Sequence, residues 1–193
     1  MSQAQTGGHF DAVVVGGGIV GCSSAFFLAR KGLRVALLEK DTIGCGTTSN
    51  SFAWINATSK VADRAYHHLN ALGQATYREL AVEFGEERIG MKPTGMLQWA
   101  RRSDESGYQS MATQAAKLKE FEYPSTWIGV TELRALEPHM VFPDDVEALY
   151  AMADPCLDAP FYARFIAEEL QNMGSAVFEH CPARELVMDD NGT

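Results

Sequence analysis

The sequence predicts an α/β fold organised around a parallel sheet, on three observations. Residues 10–15 are a short apolar run rich in valine, the pattern of a buried strand. Residues 19–31 have helical content, with apolar positions at Val20, Ala25, Phe27 and Leu28. Residues 34–39, RVALLE, form a second buried strand. Two strands joined by one short helix must run parallel, because the crossover needs the helix. Together they make a βαβ unit of about thirty residues.

The remaining elements follow in order. Gly32 stops the first helix. Residues 40–50, KDTIGCGTTSN, form a loop rich in Gly, Ser and Thr. Residues 63–84 show helical spacing at Tyr66, Leu69, Leu72, Tyr77 and Leu80, closed by Gly85. Residues 91–100, MKPTGMLQWA, read as one strand entered after Pro93, and residues 104–120 are again helical. Residues 131–137 read as a short helix with Thr131 as its cap and Pro138 beyond it. Residues 146–152 read as a strand. Residues 160–173 are a helix: Asp158 can cap it, Pro160 suits its first turn, and Gly174 ends it. Residues 176–179 and 184–188 are short strands. The second runs into Asp189-Asp190-Asn191-Gly192, a hairpin-turn sequence with no strand after it.

The 193 residues are 46% hydrophobic and 21% charged. That is globular composition with ample apolar material for a core, at the length of one domain or slightly more. Lys+Arg 16 against Asp+Glu 25 gives a net charge of -9. An acidic chain repels phosphate backbones and anionic lipid, so nucleic acid is not an expected partner. Cys22, Cys45, Cys156 and Cys181 show neither CxxC spacing nor a zinc-like pairing with histidine, so no metal site is expected. Scattered cysteines fit a reducing compartment, and a cytoplasmic location is expected. The N-terminus, MSQAQTGGHF, has neither a basic region nor an apolar core and reads as no secretory signal. Residues 12–29 are uncharged and long enough to span a bilayer. They open with a strand-like Val13-Val14-Val15, carry four glycines by residue 21 and are closed by Arg30-Lys31-Gly32. No transmembrane segment is expected there.

The motif Gly16-x-Gly18-x-x-Gly21 ends the first strand and opens the first helix. In that context Gly16 makes the tight turn, Gly18 lets the backbone approach a pyrophosphate closely, and Gly21 lets helix and strand pack closely. The helix N-terminus offers N–H groups and partial positive charge to phosphates. Glu39 ends the second strand, 39 − 16 = 23 residues on, near the roughly twenty expected for an acid that accepts from ribose hydroxyls. An acid there argues against NADP, whose extra phosphate prefers arginine. The residues alone leave NAD and FAD both open.

The stretch DAVVVGGGIVGCSSAFFLARKGLRVALLEKD, followed by IGCGTTSNSFAWINA, resembles the FAD-dependent D-amino acid oxidase family. That family includes glycine oxidases, sarcosine oxidases and related amino acid dehydrogenases. The likeness is strong over residues 10–57 and weaker at GMLQWA. It returns over residues 136–192 through LEPHM, ADPCLDAPFYARFIAEELQNMGSAVFEH and CPARELVMDDNG. The resemblance implies a Rossmann-like FAD-binding domain interleaved with part of an α+β substrate domain. Residues 1–57 and 154–193 would belong to the first and residues 58–153 to the second.

The resemblance also implies a site. Gly16, Gly18 and Gly21 would hold the FAD pyrophosphate, with Val15, Ile19 and Val20 as the backbone beside and between them. Glu39 would bind the adenosine ribose with Lys40 beside it. Gly46, Thr47, Thr48 and Ser49 would pass over the pyrophosphate and ribityl chain. Ala183 stands where the family usually has valine and would meet the adenine through its backbone. The implied chemistry is oxidation of an amino acid or secondary amine at its Cα–N bond, with hydride passing to flavin N5 and water hydrolysing the imine. Family chains continue for about as long again, into segments that carry the Arg and Tyr gripping the substrate carboxylate. The chain is therefore expected to be an N-terminal half, a cut piece or one partner of a split enzyme, with a complementing C-terminal half or partner subunit. No catalytic residue is assigned within it. An NAD-dependent dehydrogenase and a non-catalytic nucleotide-binding subunit are the alternatives.

Several single residues admit two readings. Cys22, in the first turn of the helix, reads as a small buried residue beside the phosphate site before it reads as an activated thiol. Cys45 lies in the flavin loop. His67 and His68 sit on a helix with no acid or cysteine at ligand spacing and are expected in a surface or interface role. Trp54 either walls the flavin pocket or belongs to a core. Arg101-Arg102 reads as a solvated strand end.

Overall fold

The computed structural model describes residues 9–187. Along the chain run β1 (Ala12–Val15), α1 (Ile19–Arg30), β2 (Val35–Leu38), α2 (Arg64–Phe84), α3 (Glu86–Ile89), β3 (Met91–Lys92) and β4 (Met96–Arg101). Then come α4 (Glu105–Glu120), β5 (Thr126–Gly129), α5 (Val130–Leu136), β6 (Val146–Ala151), β7 (Cys156–Leu157), α6 (Ala159–Asn172) and β8 (Ala176–Phe178). The chain divides into two compact units, Met1–Phe52 with Asp158–Thr193, and Ala53–Leu157.

The first unit is the α/β one. Its sheet has the order β1-β2-β8 and is wholly parallel, with Ala12 opposite Val35 and Ala36 opposite Ala176. The β-branched content of AVVV suits a pleated, half-buried surface. Helices α1 and α6 pack on each other. They bury Cys22, Ala25 and Phe26 from α1, and Tyr162, Ala163, Ile166 and Leu170 from α6. The α6 helix starts where the Asp158 carboxylate accepts the Phe161 N–H at 3.0 Å, with Pro160 in its first turn.

The second unit is α+β. An antiparallel sheet of order β4-β6-β5 places Met96 opposite Ala151 and Thr126 opposite Tyr150. A separate two-stranded sheet pairs β3 with β7. Asp63 caps α2 by accepting the Tyr66 N–H at 2.8 Å, and Asp104 caps α4 by accepting the Gly107 N–H at 3.1 Å. Met96, Met111, Leu118, Leu149 and Ala151 form one core; Ile128, Leu133, Phe142 and Val146 form another.

Several expectations need correction. Residues 91–100 are two strands, because Pro93 offers no N–H and Gly95 turns the chain at φ 71°. The short elements α3, β5 and β7 go beyond what the sequence predicts. The helix expected at residues 131–137 starts one residue earlier, after Gly129, because β5 feeds straight into it; Thr131 lies inside α5. Residues 184–187 form no strand, while Met188 and the turn at residues 189–192 lie outside the described residues. On α2 the apolar positions Tyr66, Leu69 and Leu72 are exposed, whereas His67 and Gln74 are buried. Where the chain enters and leaves the second unit, its two segments bond to each other. Ile55 N–H donates to Pro155 O at 3.0 Å and Leu157 N–H to Ala53 O at 2.9 Å. The two compact units change at 52/53 and 157/158.

Candidate functional site

The site is built at the C-terminal ends of β1 and β2. After Val15 the chain turns at Gly16, whose φ of 104° is a conformation that L side chains rarely adopt. The Gly16 N–H donates to Leu38 O at 2.8 Å, which ties the turn to β2. A Cβ on Gly21 would collide with the Gly16 carbonyl oxygen and stand 3.6 Å from Val14 Cγ1. Helix α1 therefore leaves β1 at a distance only glycine permits. Gly17, given no role from sequence, is equally constrained: a Cβ there would lie 2.9 Å from Glu39 Cβ. Gly18 is the N-cap of α1, extended at φ -76°, and has no side chain with which to cap.

Two side chains from elsewhere in the first unit complete the turn. Glu39 follows β2 and is buried. Its Oε2 accepts the Gly17 N–H at 2.6 Å and its Oε1 accepts the Asp41 N–H at 2.8 Å. The Asp41 and Gly17 N–H groups, aided by the Lys40 charge, hold its carboxyl below the usual range. Lys40 itself is exposed, with its Nζ 3.8 Å from Asp41 Oδ2. Thr48 is buried, and its Oγ1 accepts the Ile19 N–H at 3.0 Å.

The loop that carries Thr48 is fastened at its start. Gly44 N–H donates to Gly17 O at 2.9 Å, and Ile43 N–H to Glu179 Oε1 at 2.6 Å. Gly46 and Thr47 are exposed. The Ser49 hydroxyl donates back to Cys45 O at 2.7 Å. Beyond β8 the chain runs beside the end of β2, with His180 N–H donating to Asp41 O at 2.9 Å and Cys181 N–H to Glu39 O at 2.8 Å. Ala183 follows two residues later, exposed.

Burial settles the reading of Cys22. Its thiol donates to Gly17 O at 3.4 Å, and burial, then the Glu39 charge, push its pKa up to about 12. Ligand atoms of Glu39, Asp41 and Cys45 lie within 4.8 Å of one another. Both Glu39 oxygens there are already held by backbone N–H groups.

Residues 11–193 match the DAO family of FAD dependent oxidoreductases. The chain belongs to this family. It is 26% identical over 188 residues to a glycine oxidase of Geobacillus kaustophilus, covering 95% of this chain and 49% of that protein. It is 26% identical over 175 residues to human mitochondrial sarcosine dehydrogenase, covering 89% of this chain and 18% of that one. Among solved structures, the Geobacillus kaustophilus glycine oxidase superposes with a TM-score of 0.76 at 26% identity, over 89% of this chain and 46% of that one. An L-amino acid deaminase from Proteus vulgaris reaches a TM-score of 0.82 at 21% identity, over 98% of this chain and 44% of that chain; at that identity it speaks for the fold. The chain spans about half the length of the glycine oxidases it matches. The family's cofactor is FAD, which decides against the NAD alternative.

The donor set fits that cofactor. The turn presents bare backbone at the positive end of α1, with an ionised carboxylate at the end of β2. A Cβ on Gly18 would stand 3.1 Å from Thr48 Oγ1, in the space the motif keeps clear.

The second unit holds the other residues singled out from sequence. His67 is buried rather than at the surface: its Nδ1 lies 3.0 Å from Ala57 O and its ring packs on Phe121 and Tyr123. His68 is exposed. Trp54 packs on the core around Met96. Arg101 pairs with Asp145 at 3.0 Å and Arg102 pairs with Glu147, as a solvated strand end would. Sequence reasoning missed a buried polar group centred on Asp154. That carboxylate accepts from Gln74 Nε2 at 2.7 Å, from the Tyr123 hydroxyl, and from the Thr58 N–H at 3.4 Å. Burial and the neighbouring Asp154 push the Tyr123 hydroxyl pKa up. The polar residues buried on α2 were the available signal.

Proposed function

We propose that this chain is the cofactor-holding portion of an FAD-dependent oxidoreductase that oxidises an amino acid or secondary amine at its Cα–N bond. The observation that supports it most directly is the glycine turn braced by Glu39 and Thr48 in a chain of the DAO family. Gly16, Gly18 and Gly21, with the backbone of Val15, Ile19 and Val20, would face the diphosphate. Glu39 would accept from the adenosine ribose through lone pairs its two N–H partners leave free, with Lys40 beside it. Gly46, Thr47, Thr48 and Ser49 would line the path of the diphosphate and ribityl chain, and Ala183 would meet the adenine. Bound FAD would supply the hydride acceptor; these residues bind and orient it. The first unit would be the FAD-binding domain and the second part of the substrate domain.

The substrate-gripping groups would come from polypeptide corresponding to the other half of the glycine oxidases, in the same chain or as a partner. A reducing, cytoplasmic setting belongs to the same proposal, supported by four free cysteines. No helix among the described residues is long and apolar enough to cross a membrane. The test is a visible spectrum of the purified chain, supplied with FAD, before and after denaturation. Flavin bands released on denaturation support the reading. A chain that stays colourless when FAD is supplied together with the complementing half overturns it.

A further inference from the structure

Resting on the FAD reading above, we propose that Asp154 is a positioning residue for the cofactor loop, acting from the second unit by fixing the segment into which that loop runs. The loop, residues 45–52, has little packing of its own. Apart from Thr48 its residues are exposed, Phe52 at 83%. The side chains of Ser49, Asn50 and Ser51 donate to the carbonyls of Cys45, Gly46 and Thr47, inside the loop. A segment with so few buried contacts opens at low cost, so its place is set where it is fastened. Its start is fastened at Gly44, bonded to Gly17 O at 2.9 Å, and its middle at Thr48. Its end, Phe52, continues into Ala53, the first residue of the second unit. The coupling between Asp154 and the loop is the chain itself.

Asp154 is fully buried, and its partners converge on the segment that follows the loop. The carboxylate accepts from the Thr58 N–H at 3.4 Å, from the Tyr123 hydroxyl and from Gln74 Nε2 at 2.7 Å. An amide NH2 has two hydrogens, and the same Gln74 nitrogen reaches Ile55 O at 3.4 Å. One side chain thus ties the carboxylate to the incoming segment. The Arg78 guanidinium donates to Gln74 Oε1 at 2.7 Å and to Ala153 O at 3.0 Å. That cation sets the amide with its oxygen outward and its NH2 toward Asp154. His67 Nδ1 lies 3.0 Å from Ala57 O. The incoming segment is bonded in turn to the outgoing one, Ile55 N–H to Pro155 O and Leu157 N–H to Ala53 O. Residues 53–58 are therefore held at Ala53, Ile55, Ala57 and Thr58 around one buried charge. Such a charge is costly once its partners are lost, so the cluster closes or opens as a unit. Its opening frees Ala53, and with it the end of the loop.

The experiment uses the full chain with Asp154→Asn, which keeps the shape but sets an NH2 among donors. Leu133→Ala, in the separate core around Ile128 and Phe142, is the control for a second unit weakened elsewhere. FAD and adenosine are titrated against each, and amide exchange is followed without ligand. Asp154→Asn is expected to weaken FAD by roughly two- to thirtyfold, the range for coupling through a packed network. Adenosine, which the loop does not line, should bind unchanged. The Ile55 and Leu157 amides, and the loop amides of Ser49 and Asn50, should exchange faster, while Leu133→Ala leaves FAD affinity as it was. Unchanged FAD affinity beside faster Ile55 and Leu157 exchange shows a clamp that positions nothing and overturns the proposal. An equal loss for adenosine, or an equal loss of FAD in Leu133→Ala, shows general weakening and overturns it too. Should Asp154→Asn fail to fold, Tyr123→Phe, which removes one donor to the carboxylate, carries the same measurements. A wild type that takes no FAD even with the complementing half supplied sinks the cofactor reading instead. The anchor is then read from exchange alone, and unchanged Ser49 and Asn50 amides refute it.

Discussion

Replacing Glu39 with glutamine probes how the glycine turn keeps its shape before a cofactor arrives. The carboxylate bridges two backbone N–H groups, Gly17 at 2.6 Å and Asp41 at 2.8 Å. Glutamine keeps one acceptor oxygen and places an NH2 where the other stood, so one N–H faces a donor. At this buried position, losing one charge-assisted bond costs about 2–3 kcal/mol. In a chain of this length each kcal/mol moves the melting temperature by about 2–4 °C, so the ligand-free protein should melt roughly 4–12 °C lower. Thermal denaturation at pH 7 without FAD, followed by circular dichroism, reads the shift directly. The pH dependence carries a sign as well. Folding lowers the Glu39 pKa. Its stabilisation is therefore complete above the unfolded glutamate value of about 4.3 and is lost as pH falls through the lower folded value. Wild type and variant should converge below that window. Identical melts at pH 7 would refute the brace, and a gap that persisted in acid would show that the carboxylate charge is not its source.

Other substitutions separate space from backbone strain. Gly18 is extended, so Gly18→Val should fold, yet its side chain enters the space beside Thr48 Oγ1; FAD titration should show binding abolished. Gly16→Ala meets no atom within 4 Å and bears only the positive-φ cost, about 1–2 kcal/mol. Gly21→Ala drives a methyl into the Gly16 carbonyl and should destabilise the chain more in urea unfolding. Cys22, with its pKa pushed up to about 12 by burial, should resist alkylation at pH 8 in native protein and react once unfolded; rapid native labelling would contradict its burial. In the second unit, Asp154→Ala strips Gln74, Tyr123 and the Thr58 N–H of their shared acceptor. Urea unfolding should show a loss of about 2–4 kcal/mol.

Much of the first unit was legible because its signals are local. The valine run, the glycine turn and the Gly32 and Gly174 stops act through the backbone preferences of neighbouring residues. Asp158 caps α6 through an N–H group three residues on, as Asp63 and Asp104 do for α2 and α4 in the second unit. The short strands β5 and β7 were not legible. Four residues and two residues carry too little periodicity, and what makes them strands is pairing with β6 and β3. Helix α2 misled in a physical way. Its apolar spacing marks a helix but not its buried face: Tyr66, Leu69 and Leu72 are exposed, and Gln74 goes inside to meet Asp154 and Tyr123 on His67's side of the helix.

The site divides along the same line. The sequence by itself determined where the chain turns, where α1 begins and which carboxylate stands at the end of β2, because glycine φ freedom and strand length are properties of a few consecutive residues. Only the tertiary structure decided that Glu39 holds Gly17 from 22 residues away and that Thr48 caps α1 from 29 residues away. Those pairings exist because the β1–β2 register and the Gly44 anchor close the distances between them, and no local preference of Glu39 or Thr48 encodes its partner.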